Sequence, residues 1–112
     1  MQGLSGGGSG ETSGGKIVVR VSRELEELIP EYLGLVRRDL CSLGEALAGE
    51  DFEAIRILGH NLKGSGAAYG LNAITELGGR LEQVAPTRAG DAIRRLTGEL
   101  ADYLDRLEIV FT

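Results

Sequence analysis

The sequence predicts an all-α protein, an antiparallel four-helix bundle with a short N-terminal extension. Three observations predict it. Apolar residues recur at alternating spacings of three and four along four successive stretches, the pattern of helices that bury one face. Short runs holding Gly, Pro, Asp or Asn separate those stretches, so neighbouring helices must reverse direction. Tryptophan is absent and aromatics are few among the 112 residues, which leaves Leu, Ile, Val and Ala to build the core.

The elements follow in order. Residues 1–15 are mostly Gly and Ser without apolar periodicity, a flexible tail or linker ahead of a domain spanning 16–112. Gly10 to Lys16 has the spacing of a phosphate-binding loop, but Ile17 stands where Ser or Thr would ligate Mg²⁺, so nucleotide binding is not expected there. Lys16 to Val21 is β-branched and reads as extended; its one counterpart is Leu107 to Phe111, and the two ends can pair as a small two-stranded closure. Ser22 is placed to cap a short helix running through Leu28. Pro30 suits the first turn of the first long helix, whose seam is Ile29, Leu33, Val36, Leu40, Leu43 and Leu47.

Gly49 and Glu50 end that helix, and Asp51 is a good cap for the second, which buries Phe52, Ile55, Leu58 and Leu62 and continues to Ala67. A turn at Gly70 leads to Asn72 as the cap of the third helix, with Ile74, Leu77, Leu81 and Val84 inside. Pro86 stops it. Thr87 or Arg88 opens the fourth, which buries Ile93, Leu96, Leu100, Leu104 and Leu107.

Composition narrows the function. A formal net charge of −5 argues against nucleic-acid binding driven by phosphate neutralisation. No apolar run approaches the roughly 20 residues that span a bilayer. The single cysteine, Cys41, excludes an internal disulfide and fits a reducing compartment; lying within a helical pattern, it reads as packing. A soluble cytoplasmic protein without a membrane partner is expected.

The chemistry concentrates around the one histidine, in His60-Asn61-Leu62-Lys63-Gly64-Ser65-Gly66. On a helix, Lys63 at i+3 and Gly64 at i+4 flank the imidazole. Ile55, Leu58 and Leu62 define the buried stripe, so Arg56, His60 and Lys63 project outward. Helical glycine is unfavourable by roughly 1 kcal/mol relative to alanine, yet Gly59, Gly64 and Gly66 crowd this stretch. Either something approaches the backbone beside His60, or the helix ends near Gly64 with glycine as its cap. An exposed imidazole is mostly neutral at pH 7 and can act as a nucleophile. Positive charge from Arg56 and Lys63 disfavours the imidazolium and favours an incoming phosphoryl group.

The order His, any residue, aliphatic, Lys, Gly, small, small resembles the signature of histidine-containing phosphotransfer (HPt) domains. Asp51-Phe52, Gly59, Tyr69-Gly70-Leu71 and Leu81-Glu82 extend the resemblance over roughly residues 25–107. It implies that His60 accepts a phosphoryl group at Nε2, that Lys63 is an electrostatic helper, and that Gly64 clears space for a partner. The partners it implies are a response-regulator receiver domain, which supplies the aspartate and Mg²⁺, and a histidine kinase. The chain itself then needs no cofactor or metal and is not an enzyme in its own right; because its helical seams are used up by internal packing, a monomer is expected. Arg56, Asn61, Ser65 and Ala67 are the expected partner-contact positions. Gly66-Ala67-Ala68-Tyr69 is plainer than the polar stretch many members carry, and Tyr69 is expected to pack beneath the loop. Two other readings share these residues: the phosphoacceptor domain of a chemotaxis-type or hybrid histidine kinase, and a bundle that binds receiver domains without being phosphorylated.

Overall fold

A computed structural model describes residues 15–112; residues 1–14, which hold all but the last residue of the Gly/Ser-rich tail and the first five positions of the phosphate-loop spacing, lie outside them. Four helices, α1 (Ile29–Ala48), α2 (Phe52–Ser65), α3 (Asn72–Val84) and α4 (Gly90–Arg106), lie between two strands, β1 (Ile17–Val21) and β2 (Leu107–Phe111). Contacts run α1 to α2, α2 to α3, α3 to α4 and α4 back to α1, closing a bundle. Direction alternates as the short connections require: Gly59 faces Gly78 and Glu82, whereas Gly66, just past the end of α2, faces Thr75, earlier in α3.

Each helix buries the stripe its sequence marks out. Ile29, Val36 and Leu43 of α1, Ile55 and Leu62 of α2, Ile74, Leu77 and Leu81 of α3, and Ile93, Leu96, Leu100 and Leu104 of α4 form one core. Leu33, Leu40, Leu47, Phe52, Leu58, Val84 and Leu107 pack at its margin, half-buried. Tyr32, Leu71, Ala85 and Tyr103 join it, and periodicity alone does not select them. Tyr32 is buried on α1 and stacks on Tyr69 with ring centroids 4.0 Å apart, so Tyr69 does pack beneath its loop. Cys41 is corrected in the other direction: it is exposed on α1, outside the seam.

The termini pair as the β-branched ends suggest, and in parallel, with Ile17 opposite Leu107 and Val21 opposite Phe111. Parallel strands need a long crossover, and here the whole bundle serves as one. Ile17, Val19, Val21, Leu107, Ile109 and Phe111 turn toward the core while Val18, Arg20, Glu108 and Val110 face outward. Arg106 Nε donates to Gly15 O at 2.7 Å and Thr112 N to Val21 O at 3.0 Å, tying the pair at both ends.

Several boundaries shift from the sequence expectation, each for a local reason. Ser22 caps only a 3₁₀ turn over Arg23–Leu25, its hydroxyl accepting from Glu24 N at 3.3 Å. An α-helix cannot run through to α1 because Pro30 has no N–H for the carbonyl of Glu26. Asp51 is the α2 cap as expected, its carboxylate accepting from Ala54 N at 3.1 Å. Helix α2 ends at Ser65 rather than Ala67, because the Gly66 backbone is wedged against Leu71 and Thr75 and Ala67–Tyr69 tightens into a 3₁₀ turn. Gly70, at φ +79°, makes the left-handed turn that L-residues resist. Leu71, fully buried, then occupies the cap position of α3, so Asn72 is its first helical residue and does not cap it. Helix α4 begins at Gly90, beyond Thr87 and Arg88, because Arg88 adopts φ +59° and breaks the run.

Ile55 has no exposed surface, so Ile55→Ala should lower unfolding free energy by roughly 2–5 kcal/mol. Urea unfolding followed by circular dichroism measures this; a loss under about 1 kcal/mol would mean the core collapses around the gap.

Candidate functional site

His60 stands on the outward face of α2, its side chain 63% exposed. Helical spacing places it there, since Ile55, Gly59 and Leu62 turn inward on either side. The same helix carries Arg56 one turn before it and Lys63 one turn after. Neither cation is free. Arg56 makes a two-pronged pair with Glu53, Nε to Oε1 at 2.9 Å and Nη2 to Oε2 at 2.7 Å. Lys63 Nζ donates to Oε1 of Glu82 on α3 at 3.2 Å. The positive field expected around the imidazole is therefore balanced by two carboxylates.

Glu82 is the functional candidate that sequence reasoning left without a role. Its Oε2 lies 2.9 Å from His60 Nδ1 while its Oε1 holds Lys63. These bonds, the Lys63 one first and the His60 one second, pull the Glu82 carboxyl below the usual carboxylate range. An ionised carboxylate can only accept hydrogen bonds, so Nδ1 must carry the proton it donates. In the neutral ring, Nε2 then keeps its lone pair. A carboxylate reaching across from a neighbouring helix leaves no trace in periodicity. The Gly78-Gly79 pair was the available signal, since side-chain-free positions mark where two helices come closest.

That approach is direct. A Cβ on Gly59 would lie 2.7 Å from both Glu82 N and Gly78 O, and one on Gly78 would lie 2.5 Å from Lys63 N. Gly66 is equally committed: a Cβ there would lie 2.6 Å from the nitrogen of Thr75, whose hydroxyl accepts from Ala67 N at 2.7 Å. Gly64 differs: nothing described lies within 4 Å of a Cβ there. Two of the three glycines around His60 thus answer to packing of α2 on α3, and Gly64 does not.

The remaining expected positions divide. Asn61 and Ala67 are exposed beside the histidine's face, and Arg56 is half-exposed. Ser65 is half-buried at the α1 side, its hydroxyl 2.8 Å from that of Tyr32. Among the described residues no group of three or more His, Cys, Asp or Glu is placed to hold a metal, and no helix is long and apolar enough to cross a membrane.

The pH dependence of the bridge follows from its sign. A carboxyl depressed in the folded state contributes stability that is full above the ordinary Glu pKa and disappears as pH falls through the depressed one. Carboxyl ¹³C NMR should show Glu82 titrating below the ordinary glutamate midpoint, and Lys63→Met should move it upward. An ordinary midpoint in the wild-type protein would mean that the bridge does not persist in solution.

A family model described as the Hpt domain matches residues 27–109. No curated protein and no solved structure matches the chain. The match takes in all four helices and the histidine with its bridge, and the chain belongs to the Hpt domain family, whose members are phosphotransfer modules of two-component signalling.

Proposed function

We propose that the protein is a phosphorelay intermediate that accepts a phosphoryl group on His60 Nε2 and exchanges it with the aspartate of a response-regulator receiver domain. One observation carries the reading. His60 is exposed on the helix face while Glu82 holds Nδ1, leaving Nε2 free as a nucleophile.

The chemistry balances without a base. The Nε2 lone pair attacks phosphorus of the aspartyl phosphate, and the P–O electrons return to the aspartate as a carboxylate. No proton needs to leave, because the attacking nitrogen carries none. The ring gains positive charge as the N–P bond forms, and the Glu82 carboxylate, already on Nδ1–H, offsets it. Lys63 sits within reach of the same carboxylate and can turn to the phosphoryl oxygens as they arrive. The partner supplies the aspartate and Mg²⁺; the chain is a phosphocarrier and not a catalyst alone.

Gly64 supports this reading by having no internal reason to be glycine. Alanine there would favour the helix by roughly 1 kcal/mol and meet nothing in the described chain. Its role is to keep the surface beside His60 flat for a docked receiver. Asn61, Arg56 and Ala67 ring that surface, and Ser65 contributes its exposed edge. A histidine kinase is the upstream source of phosphate. The protein works as a soluble cytoplasmic monomer.

The test is phosphoryl loading from phosphorylated receiver domains with Mg²⁺ and from a chemotaxis-type kinase, wild type against His60→Gln. Acid-labile, alkali-stable label on the wild type alone is the expected result. His60→Gln should change unfolding free energy by less than about 0.5 kcal/mol, as for other exposed sites. Undiminished label on His60→Gln, or none on wild type across the whole panel, would sink the reading, and the second outcome would favour a bundle that only binds.

A further inference from the structure

We infer that Gly59 and Gly78 are positioning residues for the phospho-acceptor, because their backbone contact sets the spacing at which Glu82 can hold the His60 ring; this rests on the relay reading above. The two glycines form the floor beneath the bridge. A Cβ on Gly59, which precedes His60, would lie 2.7 Å from the backbone nitrogen of Glu82, while one on Gly78, one turn before Glu82, would lie 2.5 Å from the backbone nitrogen of Lys63. The same pair of contacts thus fixes both helices where they carry the three side chains of the bridge.

Distances decide how sensitive this is. Non-bonded heavy atoms settle about 3.5–4.0 Å apart, whereas a Cβ on Gly78 would lie 2.5 Å from Lys63 N, 2.7 Å from Gly59 O and 2.8 Å from Leu62 Cβ. These neighbours are helix backbone and a Cβ rooted in it, so they cannot swing aside; the helices must part or slide by about 1 Å to restore contact distance. With its three side chains in their present rotamers the bridge has no such slack. Lengthening the 2.9 Å His60 bond and the 3.2 Å Lys63 bond by that amount takes both beyond hydrogen-bonding range. The imidazole would then be free to carry its proton on either nitrogen, and Nε2 would be a nucleophile only part of the time. Gly79 provides the contrast. A Cβ there would meet only the Lys63 stem, at 3.6 Å, an ordinary contact with a flexible side chain.

Imidazole ¹⁵N NMR and receiver-to-His60 transfer rates test the inference on the full chain, with Gly78→Ala, Glu82→Asp and Gly79→Ala compared to wild type. Glu82→Asp shortens the bridge without touching the glycine contact, so it asks the distance question even if Gly78→Ala fails to fold. Wild type and Gly79→Ala should show the proton on Nδ1. Gly78→Ala and Glu82→Asp should lose that preference and transfer between about tenfold and a hundredfold more slowly, the scale of a 1 Å misplacement. A folded Gly78→Ala, or a Glu82→Asp, that keeps both the Nδ1–H form and the wild-type rate overturns the inference. The tautomer readout needs no phosphate, so failure of every variant and of wild type to accept phosphoryl would count against the relay reading and leave this one to the NMR.

Discussion

The site depends on how closely α2 and α3 can approach. Leu62, Ile74, Leu77 and Leu81 supply the apolar surface that draws the two helices together, but apolar side chains between helices hold axes about 8–10 Å apart. Glycines where the backbones meet let the pair close further, and Gly59, Gly66 and Gly78 stand at those contacts. Gly59 and Gly78 each carry the usual helical penalty of glycine, and the return is geometric. A glutamate on one helix reaches a histidine and a lysine on the other.

From that spacing follows the electronic state of the histidine. An exposed imidazole in water divides its proton between two nitrogens and rotates freely. Here one carboxylate accepts from Nδ1–H and, in the neutral ring, leaves the lone pair on the outer nitrogen, while Lys63 favours the ionised form of that carboxylate. The charges around the site nearly cancel at rest, with Arg56 held by Glu53 and Lys63 by Glu82. Balance suits a carrier better than a strongly positive pocket would. The phosphoryl group must arrive and leave with similar ease, and a site that bound it tightly would keep it.

The seams of α1 to α4, the Asp51 cap and the outward face of His60 were legible because each depends on residues close in sequence. The parts that were not legible depend on contacts across the bundle. Tyr32 reads as one of several residues near a seam, and only the arrival of Tyr69 from the following loop makes it a stacked core pair. The two β-branched ends announced that they could pair, but their parallel sense follows from where the bundle delivers them. Helix starts depart from side-chain preference where backbone conformation overrides it, at the left-handed Gly70 and Arg88. The glycine cluster is visible in the sequence but its meaning is not; Gly59 and Gly66 are packing contacts, and Gly64 alone of the three has nothing to meet among the described residues. Glu82 needed the α2–α3 spacing itself, which no local pattern encodes.

The central claim is that Nε2 of His60 is the phosphoryl acceptor while Nδ1–H stays on Glu82. The most direct test is to load the ¹⁵N-labelled protein from a phosphorylated receiver domain and read phosphorus–nitrogen coupling by NMR. The account predicts one phosphoryl group, coupled to Nε2 of His60, with the Nδ1 proton still present. Phosphorus coupled to Nδ1, or carried by any other residue, would contradict it.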